Sequence, residues 1–588
     1  MKVMSPADPV TPATARWLTW GFRLLALGLG ALHTLIAVRS QSMNEDGIGY
    51  LDLGDAFWQG RWEEVVNTTW SPLYAWIVGG VLNLVQPSVW WEFPTVQVTN
   101  FALYALTLVC FEYFWRQLST TYYTGRPGEG ERTRIPPAVW AAIGYSLFIY
   151  VSLNLIALWA VTPDMCVAAI VYLTAGQLLK LERAGARPAT AVVLGVTLGV
   201  GYLTKAALFP LGLVLIGLAV LMPGAGIGRP VRFAGALVAF LIVLAPWAAV
   251  VSSSVGHLTF SDVGRFTYLK HVNGMPWPQW RMAVRPPAGT AEHPPRLIHD
   301  DPPVWEFAGP IGGTYPLAYD PAWWTRGLEP RVDLGEQLQA VVANAAYYFD
   351  LFVRMQGGFL AVLALLLVLG FRPFRQTLRL DGPAVLLLWA LAAFGLYGLV
   401  YAESRYLAPF VLLFWAGLLA RVGLPAGPVA PRVVTAGGVV LALCAWINIG
   451  ALNMEGLGGM LGLSAERGTG AVVRPSSRSL SDGHKADHPE IAAALQEMGI
   501  AAGAPVAFVG YSYSAYWARL ARLKIVAEIH PEDVERFWTV DEAARSSVLR
   551  AFRKAGAKVV VTEPPTTAGV PAGWAGIGST GYLVSVLQ

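Results

Sequence analysis

The sequence predicts a polytopic α-helical membrane protein of about eleven transmembrane helices, followed by a C-terminal soluble α/β domain. Of the 588 residues, 55% are hydrophobic and 14% charged, against roughly 25% charged in soluble domains, so lipid is the solvent for most of the chain. Apolar runs long enough to cross a bilayer recur up to residue 452. Arginine and lysine collect in alternate short loops between those runs, as they do on the cytoplasmic side of a membrane.

The candidate spans lie near 17–38, 94–115, 138–161, 165–181, 189–203, 206–222, 233–251, 355–371, 383–400, 407–420 and 433–452. The first is too long for the core of a signal peptide and lacks an A-x-A cleavage site, so it reads as a retained span. Five basic loops should all be cytoplasmic: Arg116, Arg126, Arg132 and Arg134; Lys180, Arg183 and Arg187; Arg229 and Arg232; Arg372, Arg375 and Arg379; Arg421 and Arg432. A cytoplasmic N-terminus with the spans above satisfies every one of them. Residues 189–222 are basic on both flanks and therefore cross an even number of times, which places Lys205 at the outer tip of a short hairpin. Counting 72–86 as a further span would put the arginine-rich loop outside, so this segment is expected to lie along the outer interface as an amphipathic helix. Cys110, Cys166 and Cys444 fall in apolar segments without metal-ligand or disulfide spacing and read as small core residues. The net charge of +4 is dispersed among loops, which argues against a nucleic-acid partner.

The expected organisation is a transmembrane module over 1–452 with outer loops at 39–93 and 252–354, a Gly/Ser-rich linker at 453–489, and an extracytoplasmic α/β domain at 490–588. The domain is read from strand-like PVAFVG, KIVAEI, KVVVTE and YLVSVL interleaved with helical YSAYWARL and 532–555. The middle loop, with MPWPQW, DDPPVWEF and YDPAWW, is too broken for long helices and suits a structured cap.

Four acids, Glu45, Asp46, Asp52 and Asp55, follow the first span directly. Gly47 and Gly49 loosen the backbone beside Asp46, whereas Tyr50 to Trp58 can form a helix with Asp52 and Asp55 on one face. The order Asp46, Tyr50, GDAFWQGRW, then SPLYAW at 71–76, Asp164 in VTPDM, Leu203-Thr204-Lys205, and Arg405-Tyr406 in ESRYLAPF resembles the GT-C superfamily of membrane glycosyltransferases. The branch it is similar to holds the protein O-mannosyltransferases and the lipid A aminoarabinose transferase (glycosyltransferase 39-like). The resemblance spans roughly 17–420 in order and spacing, and its motifs are individually short. It implies catalytic acids at Asp46, Glu45 and Asp164, donor-phosphate binding by Lys205, Arg405 and Tyr406, and substrate contacts from Tyr50, Tyr74 and Trp70. The first motif reads Glu-Asp-Gly where the family more often has an Asp-Glu pair, which leaves Glu45 and Asp46 both open for the key position.

The implied reaction moves a sugar from a polyprenyl-phosphate donor to an acceptor glycan, lipid or protein on the extracytoplasmic face, with inversion, in a multi-pass protein of a bacterial inner or plasma membrane. Such chemistry needs a carboxylate to take the acceptor proton and positive charge at the departing phosphate. Asp46 suits the first task; Lys205 and Arg405 suit the second. A divalent cation (Mg2+ or Mn2+) on Asp46 and Asp164 is the alternative source of charge. Blander readings stand beside each: Asp164 as a helix cap, Lys205 snorkelling to headgroups, Arg405 as a partner of Glu403, Asp52 and Asp55 as a wet helix face or cap. Arg23, near the cytoplasmic end of the first span, is expected to snorkel; it and His33 receive no role. The run Trp305, Glu306, Tyr315, Tyr319, Asp320, Trp323 and Trp324 could stack on sugars but more often packs the loop itself. Asn67-Thr68-Thr69 fits a glycosylation sequon too common to use. A transporter or flippase would show broken spans and internal repeats, and a scaffold would not cluster carboxylates at the membrane.

Overall fold

The computed structural model describes residues 12–41, 43–124, 132–182, 188–222, 229–276, 288–307, 312–370, 380–460, 487–563 and 572–587. Residues 461–486 of the expected linker, residues 277–280 of MPWPQW, and Arg126, Arg183, Arg187, Arg372, Arg375 and Arg379 lie outside the described residues.

The helices up to residue 460 are α1 (Pro12–Ser40), α2 (Glu45–Trp58), α3 (Pro72–Val85), α4 (Glu92–Thr124), α5 (Pro137–Tyr150), α6 (Asp164–Leu181), α7 (Pro188–Thr204), α8 (Leu208–Leu221), α9 (Arg229–Val255), α10 (Val263–His271), α11 (Leu334–Phe349), α12 (Gly357–Leu369), α13 (Gly382–Val400), α14 (Ser404–Leu419) and α15 (Ala430–Met460), with shorter turns between. Among the described residues, seven helices are long and apolar enough to cross a membrane by themselves: α1, α4, α5 with its π-helical extension to Leu155, α6, α9, α13 and α15. The pair Leu334–Arg354 and Gly357–Leu369, bent by 74°, is long and apolar enough only when taken together, as one broken span or a re-entrant loop. The expected spans at 189–203, 206–222 and 407–420 are helices, α7, α8 and α14, of 17, 14 and 16 residues. The chain is thus an integral, multi-pass membrane protein.

Two polar features sit inside this apolar frame. Arg23 on α1 grips Glu112 on α4 through Nε at 2.6 Å and Nη2 at 2.7 Å, and the Tyr145 hydroxyl donates to the same carboxylate at 2.6 Å. Arg23 is therefore not merely snorkelling, as expected from the sequence; a charge at this position is held by a partner on a neighbouring helix. α2 and α3 cross at two glycines: a Cβ on Gly54 would lie 2.5 Å from the Ala75 carbonyl oxygen, and one on Gly79 would lie 2.6 Å from Gly54 backbone. Only hydrogen at both positions lets the two backbones approach this closely. α3 buries Tyr74, Ala75, Val78 and Leu82 and leaves Leu84 and Val85 exposed.

The three hydrophilic regions meet on one face. The C-terminal residues carry α16 (His488–Glu497), β3 (Pro505–Val509), α17 (Tyr516–Leu520), β4 (Lys524–Ile529), α18 (Glu542–Lys554), β5 (Val559–Thr562), β6 (Ala575–Gly576) and β7 (Leu583–Val586), while the middle loop supplies the hairpin β1 (Arg296–Asp300) and β2 (Pro303–Glu306). Together they form one seven-stranded sheet in the order β6-β7-β5-β3-β4-β2-β1. β3 runs parallel to β4 and β5, and β2 joins β4 antiparallel with Trp305 opposite Glu528. The alternating Val304, Ala507, Val509, Ala527, Ile529 and Val560 close a core against Phe537, Val548 and Phe552.

The first and middle loops are joined as firmly. Buried Asp320 accepts from the Thr68 amide at 2.9 Å and from the Thr68 and Thr69 hydroxyls at 2.9 and 2.6 Å. Asn67 is buried, donating to the Tyr319 carbonyl at 2.6 Å and accepting from the Thr69 and Trp70 amides. The sequon residue is thus a turn-former. Tyr315, Tyr319 and Trp324 are buried, and Trp323 stacks on His293 at 3.6 Å, so the loop aromatics pack the loop itself.

Candidate active site

The first carboxylate is placed by a short turn. Asn44 accepts from the Val161 amide at 2.7 Å, and Gly47 N–H closes a turn onto the Asn44 carbonyl. α2 starts at Glu45 and so presents Asp46 in its first turn. The Asn44 bond also pins the loop before α6. Two α4 side chains complete the clamp: Gln97 donates to the Trp159 carbonyl at 2.8 Å and Asn100 to that of Ala160 at 3.3 Å. This loop delivers Asp164 as the first residue of α6, with no side-chain cap bond. Helix capping therefore does not account for Asp164.

The cations arrive from two other elements. Only three residues join α7 to α8, and Lys205 is the first of them. The turn before α14 is held by the Ala402 amide on Asn344 at 3.1 Å and by the Ser404 hydroxyl on the Leu155 carbonyl at 3.1 Å. Arg405 then points back across the bundle.

Lys205 Nζ lies 2.6 Å from Asp164 Oδ1, and Arg405 Nη1 lies 3.7 Å from Asp164 Oδ2. Arg405 Nη2 donates to Asp46 Oδ2 at 3.0 Å, and Nε donates to Glu403 at 2.9 Å. The planar fork thus engages three carboxylates at once. Asp164 is 1% exposed, whereas Lys205 and Arg405 retain 21% and 19% and Asp46 32%, so the group is open on the Asp46 side. The Tyr406 ring lies 3.5 Å under Lys205 Nζ, and its hydroxyl is 3.2 Å from Arg405 Nη2. Asp46, Asp164, Lys205, Arg405 and Tyr406, drawn from four elements far apart in the chain, therefore form one cluster. The Glu403 partnership foreseen for Arg405 exists as well, as one of its three carboxylate contacts.

The remaining expected residues divide. The Tyr511 hydroxyl donates to Glu45 Oε1 at 2.6 Å, which ties that carboxylate to the C-terminal residues. Tyr50 packs between Trp70 and Tyr74 with ring centroids 5.1 and 5.4 Å away. Tyr50 and Tyr74 are buried, Tyr74 donating to Asn100 at 2.8 Å; Trp70 is half-buried, with Nε1 on the Ala318 carbonyl at 3.1 Å.

Two groups were missed. Lys270 on α10 stands in the field of Asp46, Glu45 and Glu403, and burial pulls its ammonium below the ordinary lysine value while those acids oppose the shift. Its neighbour His271 stacks on Tyr401 at 3.9 Å. No motif surrounds Lys270 in the sequence. The second group corrects the wet-face reading of Asp52 and Asp55. Asp52 is buried, accepting from the Thr314 amide at 2.7 Å and from Arg519 Nη1 at 2.6 Å; Arg519 also lies 2.9 Å from Asp55 and 3.1 Å from Glu92. Burial pushes the Asp52 carboxyl up, whereas for Asp55 burial is overcome by Arg519 and Arg522, which hold it below the usual range.

Among the described residues, no three His, Cys, Asp or Glu side chains gather as a metal cage. Asp46 and Asp164 each face a cation already. In this arrangement the two acids of the expected divalent-ion site are balanced by Arg405 and Lys205.

No protein-family model matches the sequence, and neither does any curated protein. Solved structures do. ArnT from Cupriavidus metallidurans bound to undecaprenyl phosphate aligns at TM-score 0.50 and 13% identity over 96% of this chain and 97% of that one. The same protein in the apo state aligns at 0.49 and 14% over 96% and 97%. The Archaeoglobus fulgidus oligosaccharyltransferase in its apo form aligns at 0.41 and 12%, over 92% of this chain and 70% of that one. At 13% identity the ArnT likeness is one of fold, and it extends from the first helix through the C-terminal residues.

Proposed function

We propose that this chain is a GT-C-type glycosyltransferase which moves a sugar from a polyprenyl-phosphate donor to an acceptor hydroxyl at the extracytoplasmic face, with inversion at the anomeric carbon. The observation that carries the reading is the Arg405 fork, bridging Asp46 and Asp164 while Lys205 occupies the other oxygen of Asp164. Two cations beside one partly open carboxylate are what departure of a phosphate and arrival of a hydroxyl require. The fold is shared with a protein whose structure holds undecaprenyl phosphate, which supports a lipid-linked donor.

In the proposed step the acceptor oxygen forms a bond to the anomeric carbon as the bond from that carbon to the phosphate oxygen breaks. The acceptor proton passes to Asp46, and the electron pair leaves with the polyprenyl phosphate, whose charge Lys205, Arg405 and Lys270 balance. Donor binding supplies a new anion to Arg405, which loosens its hold on Asp46 and frees that carboxylate to act as a base. Tyr50, Tyr74 and Trp70 would then shape the wall of the sugar subsite, with Trp70 the most accessible of the three. No step is routed through a metal.

The test is transfer of label from radiolabelled undecaprenyl-phosphate sugars by the purified protein in proteoliposomes fused with washed membranes of the producing cells. Asp46→Asn is expected to lower transfer by at least roughly a hundredfold while undecaprenyl phosphate still binds. Undiminished transfer would remove Asp46 from the role of base, and a wild-type protein that neither binds undecaprenyl phosphate nor consumes any donor would reject the function.

A further inference from the structure

The C-terminal residues reach into the candidate site at two levels of the same helix. At the start of α2, the Tyr511 hydroxyl donates to Glu45 at 2.6 Å, and Glu45 neighbours Asp46 in the chain. Two to three turns on, Arg519 is 1% exposed and holds Asp52, Asp55 and Glu92. Arg522 adds contacts to Asp55 and, at 2.9 Å, to Glu92, while the Tyr516 hydroxyl meets Glu92 at 3.2 Å. A guanidinium with almost no water contact, surrounded by three acids, exists only if all members are present, since removing one leaves buried charge uncompensated. α2 is therefore fixed along its length by residues 511–522. Glu45 and Asp46 are consecutive in the first turn of α2, which sets Glu45 beside the Arg405 cluster, and Lys270 stands in the field of Glu45, Asp46 and Glu403 alike.

Building on the transferase reading above, we propose that Tyr511 is a positioning residue for the acceptor: its hydroxyl aims the Glu45 carboxylate at the acceptor side of Asp46, so that the C-terminal segment 511–522 is part of the site. The cations assigned to the donor in that reading, Lys205 and Arg405, engage Asp164 and Asp46, with the Tyr406 ring beneath Lys205, whereas Glu45 is held by Tyr511. Tyr511 comes from the half-buried edge of the C-terminal residues, with its amide on Glu563 at 3.0 Å and its ring 5.8 Å from Tyr513. Removing the phenolic oxygen leaves that ring packing in place and frees Glu45 to turn.

Tyr511→Phe and Glu45→Gln separate this role from a structural one, each read in the full-length protein with radiolabelled undecaprenyl-phosphate sugars and graded amounts of washed membranes as acceptor. Loss of one hydrogen bond to a charged group is expected to raise the half-saturating amount of membrane about tenfold in either variant, with undecaprenyl phosphate binding within about twofold of wild type. The double variant is expected to be no worse than Glu45→Gln alone, because both changes remove one interaction. Unchanged acceptor dependence in Tyr511→Phe, additive losses in the double variant, or an equal fall in undecaprenyl phosphate binding would each overturn the assignment while leaving the transferase reading intact. If Tyr511→Phe fails to fold, normal acceptor dependence in Glu45→Gln overturns it on its own. A wild-type protein without transfer would reject both.

Discussion

At the scale of single residues, the site rests on Arg405 making three different contacts with one planar group. Lysine would keep the charge but could reach only part of that arrangement. Arg405→Lys is expected to weaken undecaprenyl phosphate binding by roughly ten- to a hundredfold, measured by titration in detergent, with the fold retained. Lys270 sets a pH dependence whose sign follows from its burial. Its value in the folded protein lies below the ordinary 10.5, so the folded protein releases that proton first as pH rises. The cation near the donor is then lost at a lower pH than for a free lysine, while stability rises with pH across the same window. Affinity for undecaprenyl phosphate is therefore expected to fall on the alkaline side before ordinary lysines titrate, and Lys270→Arg is expected to abolish that limb. An alkaline limb unchanged in Lys270→Arg would assign it to another group. The two acids of the cluster, Asp46 and Asp164, and the hairpin lysine stood out because each sits at the end of an apolar run, where a charge is expensive without a purpose. Lys270 was not, because it lies in a long loop where a lysine costs nothing that the sequence displays. Asp52 and Asp55 were misread for a related reason: their partner Arg519 lies more than four hundred residues away in the chain, and a carboxylate pair on a short helix looks the same wet or buried.

At the scale of elements, α2 is the part on which the rest depends. It carries Glu45 and Asp46 at one end and Asp52 and Asp55 along its length, crosses α3 through Gly54 and Gly79, and meets α17 through Arg519. Arg519→Met would leave the buried Asp52 and Glu92 carboxylates against an apolar chain, with only Arg522 still on Glu92, a loss of about 3–5 kcal/mol. Its unfolding temperature in detergent is expected to fall accordingly, and Arg519→Met combined with Asp52→Asn and Glu92→Gln to recover part of it; no recovery would mean that the cluster stabilises by packing alone. The helical segments themselves were readable from runs of apolar residues, including the hairpin α7–α8 and its lysine tip. Two features were not. The π-helical turns at Val151–Leu155 and Asp350–Arg354, the second beside the 74° bend, have no composition that marks them. The joining of β2 to β4 depends on a strand from the middle loop, which four residues of ordinary strand composition cannot announce.

At the scale of the whole molecule, charge in the loops and hydropathy in the runs were enough to sort the chain into a lipid-facing part and three hydrophilic regions, and the structure brings those three regions onto one face. The sorting works because a bilayer enforces it on every residue, whereas contacts between the hydrophilic regions are chosen pair by pair and leave no periodic trace. A common face is what the proposed lipid-linked donor requires in physical terms: its carrier chain would stay in the bilayer while its phosphate and sugar reach the charged group. The measurement that tests this most directly is a cryo-EM structure of the full-length protein in nanodiscs with undecaprenyl phosphate. The phosphate is expected within hydrogen-bond distance of both Lys205 and Arg405, with the Arg405 bond to Asp46 lengthened or broken. A phosphate bound on another surface, with the Asp46, Asp164, Lys205 and Arg405 contacts undisturbed, would contradict the assignment of this cluster as the donor site.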